Sequence, residues 1–166
     1  MQDGRADDTM TKAAGATGFD LKAFLPYRLN LLAGLTSQAL SQLYADHGIG
    51  IPEWRILVTL GHCGPMTGKA VGAHTHMHKT KVSRAVASLE KRKLIGRQIN
   101  RDDLREAFLS LTPGGRAIYD DMVPRAAAFA RDLLTVVDPA DRPALDRALN
   151  SLTQCCSELA NHGDRG

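Results

Sequence analysis

The 166 residues specify a mainly α protein with one two-stranded β-hairpin. Composition is the first reason: 22 Ala and 21 Leu stand against 7 Val and 6 Ile, and β-branched side chains lose rotamer freedom in helices and suit sheets. Periodicity is the second. Apolar residues return every three or four positions along most of the chain, while alternation is confined to residues 94–111. With 43% hydrophobic residues the chain can bury a core, and with only 5% aromatic ones that core is built mostly from Leu, Ala and Met. No apolar run approaches the roughly 20 residues of a membrane span, and Met1 to Gly18 lacks the apolar stretch of a secretory signal. Three cysteines, an odd number, make no disulfide framework, so a reducing cytoplasm is the expected setting.

Residues 1–18, rich in Asp, Thr, Ala and Gly, read as a flexible N-terminal arm. From Phe19, the residues Leu21, Leu25, Leu29, Leu32, Leu35, Ala39 and Leu43 mark a long amphipathic helix ending near His47-Gly48, with Pro26 in its first turns. Pro52 opens the next helix, which turns Trp54, Leu57, Val58 and Leu60 inward and is closed by Gly61 and Gly64-Pro65. Thr67 caps a short helix through His74. After a break at Thr75–Met77, a helix from about His78 to Arg92 buries Val82, Val86 and Leu89. Leu94, Ile95, Arg97 and Ile99 form one strand, Asn100-Arg101-Asp102-Asp103 a turn, and Ala107, Leu109 and Leu111 the returning strand. Thr112-Pro113 restarts a helix past Ile118, Met122, Phe129 and Leu133, kinked at Pro124 and stopped at Asp138-Pro139. Asp141 caps a last helix with Leu145, Leu149, Leu152, Cys156 and Leu159 on one stripe. The chain beyond the arm thus divides into residues 19–50, 51–111 and 112–166.

The net charge of +3 conceals an uneven distribution. Between Met66 and Arg105 ten basic residues face three acidic ones, giving +7 in forty residues, while the remainder carries −4. A one-sign surface attracts polyanions; the competing account is a solvated helix face rich in Lys and Arg. Local order favours the first. Residues 67–111 run helix, tight turn, helix, hairpin, a unit that fits the DNA major groove with the second helix. Near that helix's exposed start stand His78, Lys79, Lys81 and Ser83 or Arg84, types that bind phosphates and base edges. Arg97, Arg101 and Arg105 of the hairpin suit a minor groove or the backbone.

The stretch Met77-His78-Lys79-Thr80-Lys81-Val82-Ser83-Arg84-Ala85-Val86-Ala87-Ser88-Leu89-Glu90 resembles the recognition helix of MarR-type winged helix-turn-helix repressors. Asp103-Leu104-Arg105 followed by Leu109-Ser110-Leu111-Thr112-Pro113-Gly114-Gly115 is similar to that family's wing and the helix after it. The resemblance spans roughly Phe19 to Leu159. It implies a winged helix-turn-helix lobe with a two-stranded wing, flanked by long terminal dimerisation helices, in a homodimer bound to a double-stranded DNA operator. It places DNA contacts on Thr67 and Lys69, on His78, Lys79, Lys81, Ser83 and Arg84, and on Arg101, Asp103 and Arg105 in the wing, where Asp103 would orient an arginine. Two positions depart from the family pattern. His78 stands where an Asp commonly caps the recognition helix, so that cap is expected to be missing, and Lys93 stands where a Gly usually ends it, so a left-handed backbone there carries a penalty.

The terminal stripes would bury well against a second copy, and intramolecular burial is the competing account. Two-fold symmetry would set the recognition helices about 34 Å apart on a pseudo-palindromic operator. The family's small-molecule pocket implies an effector site near Tyr27, Arg28, His47 and Trp54, where an Arg beside aromatics suits an aromatic acid. The runs Leu25-Pro26-Tyr27-Arg28-Leu29-Asn30 and Ile51-Pro52-Glu53-Trp54-Arg55 resemble the branch that controls aromatic-acid catabolism, some members of which sense aryl-CoA thioesters. Trp54 as plain core and Arg28 as an ion-pair partner is the other account. Metal sensing would use His62, Cys63, His74, His76 and His78, but three His at alternate positions converge poorly on one ion. Redox sensing would use Cys63 or Cys155-Cys156. No phosphate-cradling Gly loop, nucleophile elbow or HExxH helix points to an enzyme. No metal and no cofactor are expected. A constitutive architectural DNA-binding dimer is the alternative from another class.

Overall fold

Helix propensity and apolar period predict where the chain coils, and the caps decide where each coil ends. The computed structural model describes residues 19–99 and 106–163, with side chains through 160. The described residues fall into two units, divided between Ala39 and Leu40. Helix α1 spans Leu25–Ser41, with Pro26 in its first turn. The helix expected from Phe19 therefore starts six residues later, because Asp20 turns the preceding chain by accepting the N–H of Lys22 at 2.9 Å. Leu25, Leu31, Leu32 and Leu35 are exposed along α1.

The expected end near His47-Gly48 holds, but the last turns, Gln42–His47, tighten into a 3-10 helix. That winding seats Tyr44 in the core, stacked on Trp54 with ring centroids 5.4 Å apart. Gly48 then leaves in the left-handed region at φ 61, its N–H bonded to Ala45 O at 2.7 Å.

Helix α2 (Ile51–Cys63) buries Trp54, Ile56, Leu57, Thr59 and Leu60, and three later helices pack against it. Ile56, which the predicted stripe omits, is fully buried because α2 is covered on more than one side. Gly61 does not close the helix. It lies under Tyr119, where a Cβ would come within 2.3 Å of the ring. Gly64, at φ 84, makes the stop.

Helix α3 (Gly68–Thr75) is capped by Thr67, whose Oγ1 accepts the Ala70 N–H at 3.2 Å. His76 ends it in the left-handed region at φ 50, and Met77 donates its N–H to Gly72 O at 3.1 Å. Helix α4 (Lys79–Lys91) buries Val82, Ala85, Val86 and Leu89, the expected stripe with Ala85 added. Strands β1 (Met66–Thr67), β2 (Ile95–Ile99) and β3 (Ala107–Leu111) form an antiparallel sheet in the order β1-β3-β2. The predicted hairpin is the β2–β3 pair, with Arg97 opposite Leu109. Strand β1 adds a third strand, Met66 opposite Leu109; two residues are too few to show alternation.

At the hairpin's base, Lys93 takes φ 59, the left-handed conformation anticipated at this position. Thr112 holds the same corner. Its N–H bonds to Leu94 O at 3.1 Å, its hydroxyl donates to Lys93 O at 2.7 Å, and that oxygen accepts the Gly115 N–H at 3.1 Å to cap α5. Helix α5 (Pro113–Leu133) runs on across Pro124. Gly115 packs so tightly that a Cβ would sit 1.9 Å from Leu94 O. Asp138 then turns the chain, accepting the Ala140 N–H at 2.8 Å, and the main-chain carbonyl of Asp141 receives Leu145 N–H at the start of α6 (Arg142–Gly163). Leu145, Leu149 and Leu159 of α6 are exposed. No described helix is long and apolar enough to cross a membrane.

Two substitutions test this corner by urea denaturation. Gly115→Ala should destabilise by about 3 kcal/mol through overpacking, and an unchanged midpoint would refute the close approach. Lys93→Gly should stabilise by roughly 0.5–1 kcal/mol, because relief of the left-handed strain outweighs the entropy of an added glycine.

Candidate DNA-binding surface

Burying Val82, Ala85, Val86 and Leu89 leaves the polar positions of α4 on its outer side. Lys79, Lys81, Ser83 and Arg84 are exposed there, as is Lys69 in the first turn of α3. A cleft of about 800 Å³ between α3, α4 and the sheet is lined by Lys69, Lys79, Ser83, Arg97 and Glu106 over an apolar floor including Val86 and Leu109. A second, of about 360 Å³, is lined by His78, Lys81 and Arg84 with Pro52 and Glu53 of α2. The outer side of α4 is therefore a ridge between two clefts, each with basic walls. That shape suits a groove-inserted helix with phosphates on both flanks.

Not every predicted residue is aimed outward. Thr67 is half-buried and its hydroxyl oxygen serves the α3 cap. His78 caps α4: its Nδ1 accepts the Thr80 N–H at 3.3 Å. An imidazole thus occupies the role for which the family pattern has a carboxylate. Arg97, expected with the hairpin tip, lies in mid-strand and clamps Glu90 of α4, with Nε donating to Oε1 and NH2 to Oε2 at 3.1 Å. That hydrogen bond raises the Arg97 pKa above the ordinary arginine value, against the opposing effect of burial. Glu90 is the only acid between Met66 and Asp102, a signal that could have identified it as the partner. Arg101, Asp103 and Arg105 lie outside the described residues.

The MarR family model matches residues 47–106, the segment that carries the second cleft and most of the first. A Bacillus subtilis relative, the uncharacterized HTH-type transcriptional regulator YwoH, is 23% identical over 78% of this chain and 94% of its own. The S. aureus MepR–DNA complex superposes with a TM-score of 0.73 at 16% identity, over 80% of this chain and 98% of that one. Bordetella bronchiseptica BpsR, whose DNA binding is regulated by 6-hydroxynicotinic acid, gives 0.64 at 23% identity over 76% and 98%. The fold is that of the MarR winged helix.

The far end of α4 is anchored by Arg92. The guanidinium donates through NH1 to Gly48 O at 2.8 Å and through NH2 to His47 O. The His47 imidazole in turn pairs with Asp121 of α5 at 3.0 Å, and Asp121 also takes Arg125 at 3.3 Å. Of the predicted effector residues, His47 is thus engaged with α5, and Trp54 is 6% exposed and stacked on Tyr44. Tyr44, absent from the prediction, has its phenol pKa pushed up by burial, with Arg55 opposing. Tyr27 and Arg28 stand on exposed turns of α1 in the other unit. Cys63 Sγ lies 3.5 Å from His74 Nε2, but no three potential ligands gather around an ion among the described residues.

Arg92→Lys keeps the charge but cannot span two carbonyls. It should cost about 1 kcal/mol, seen as a fall of about 2–4 °C in Tm; an unchanged Tm would show that the anchor contributes nothing.

Proposed function

We propose that this chain is a homodimeric, sequence-specific transcriptional regulator, a repressor released from a pseudo-palindromic operator by a small aromatic ligand. The observation that carries it is the α4 ridge, which presents Lys79, Lys81, Ser83 and Arg84 between two basic-walled clefts. Lys69 and His78 extend the proposed contact surface, Thr67 caps α3 beside it, and Arg101, Asp103 and Arg105 are proposed as further DNA contacts. A DNA partner implies a cytoplasmic setting.

The dimer is supported by exposed leucines on both terminal helices: Leu31, Leu32 and Leu35 of α1, and Leu145, Leu149 and Leu159 of α6. Stripes of this kind on long helices are the form an interhelical seam takes. An aromatic-acid effector, such as a benzoate-like acid or its CoA thioester, is supported by the aromatic acid that regulates BpsR. Control of aromatic-compound catabolism would follow. Tyr27, Arg28, His47 and Trp54 remain the candidate ligand set, with Arg28 for the carboxylate. The Cys63–His74 contact favours a second reading, release by an oxidant or soft metal.

Footprinting on the protein's own upstream DNA, with aromatic acids, their CoA thioesters, zinc and peroxide, is the decisive experiment. Protection of two half-sites one helical turn apart is expected, with release by an aromatic acid. Steeply salt-dependent binding that ignores sequence and every effector would instead identify a constitutive architectural protein. Combined Lys79→Ala and Lys81→Ala should abolish specific binding while the dimer stays folded, and full binding by that variant would refute the site. Arg105→Ala should lower the slope of log affinity against log salt by about one.

A further inference from the structure

Because Nδ1 of His78 accepts the Thr80 N–H at 3.3 Å, that nitrogen presents a lone pair and carries no proton. In the neutral ring the proton is therefore on Nε2, which faces away from Nδ1 and hence from the helix backbone. The side chain is exposed and borders the second cleft, together with Lys81 and Arg84. A capping Asp or Ser would present only an acceptor or a short hydroxyl at this position; His78 presents a donor at the far side of a ring. The neighbours decide what that donor meets. Two cations face one acid, Glu53, around the cleft, so the favoured occupant is anionic and rich in hydrogen-bond acceptors.

We infer that His78 couples two tasks: its Nδ1 caps the recognition helix, and its Nε2–H donates to a DNA phosphate oxygen seated between Lys81 and Arg84. The inference rests on the DNA-binding function proposed above and adds to it a fixed tautomer, a direction and a class of acceptor. Capping orients the ring before DNA arrives, so little side-chain freedom is lost when the contact forms. A neutral donor releases no counterion, so this contact strengthens binding without steepening its salt dependence.

Three measurements test it on the full-length protein. Nitrogen NMR of the free protein at neutral pH should show the His78 ring protonated at Nε2 and bare at Nδ1; the opposite tautomer overturns the inference. His78→Ser retains a good cap and leaves the formal charge unchanged but withdraws the distal donor. Its Tm should match wild type while operator affinity falls roughly tenfold at unchanged salt slope. His78→Ala should lose both Tm and affinity. Wild-type-like binding by His78→Ser overturns the inference while leaving the DNA-binding function intact, whereas failure of the wild type to bind any specific DNA removes that function and the inference together. Operators with single methylphosphonate linkages complete the test. One neutral linkage should abolish the difference between wild type and His78→Ser; if only a 7-deazapurine does so, the acceptor is a base nitrogen and the phosphate assignment is wrong.

Discussion

The carbonyl groups of Lys93 and Leu94 are where the lobe's parts are held to one another. One threonine, Thr112, bonds to both, through its hydroxyl and its own N–H, and the same hydroxyl oxygen caps α5. The end of α4, the base of strands β2 and β3 and the start of α5 therefore share one point. A hydroxyl suits it because it can donate one bond and accept another. Gly115 permits the approach, and Lys93 carries the backbone strain that the turn demands.

From that point α4 extends as a beam fixed at its C-terminal end. Leu89 and Val86 bury it on the core side, the Glu90–Arg97 clamp ties it to the sheet, and Arg92 ties it to the chain that follows α1. Its N-terminal end is held by His78 and by the burial of Met77 and Val82. The anchoring is densest where DNA contact is not proposed, and the residues offered to DNA stand on the opposite end. Exposed ion pairs such as Arg97–Glu90 are individually weak, so the beam's position owes most to packing and to the main-chain bonds at its end.

Much of this was legible in the residues. Thr67 and Thr112 announced two helix starts, Val82, Val86 and Leu89 named the buried face of α4, and alternation placed β2 and β3 in their observed pairing. The candidate contact positions were legible for the same reason, since removing a buried stripe from a helix leaves its outer face by subtraction. What was hidden depends on residues distant in sequence. His47 and Asp121 are 74 positions apart, Arg92 and Gly48 are 44, and no local period reports either. Strand β1 was too short to carry a pattern. The imidazole cap at His78 was missed because the expectation looked for a carboxylate or hydroxyl, although an unprotonated ring nitrogen accepts the same bond.

The Arg92 anchor has one further consequence, for how such a protein can diverge. Its two bonds go to main-chain oxygens, which every residue possesses, so the anchor does not depend on which side chain occupies position 47. The imidazole of His47 is therefore at liberty to change, and its link to Asp121 with it, without releasing α4. Lineages could exchange the side chain at position 47 while inheriting the same seat for α4. Position 48 is more constrained, because its left-handed backbone favours glycine. One residue of the pair is open to drift, and its neighbour holds the geometry that makes the drift harmless.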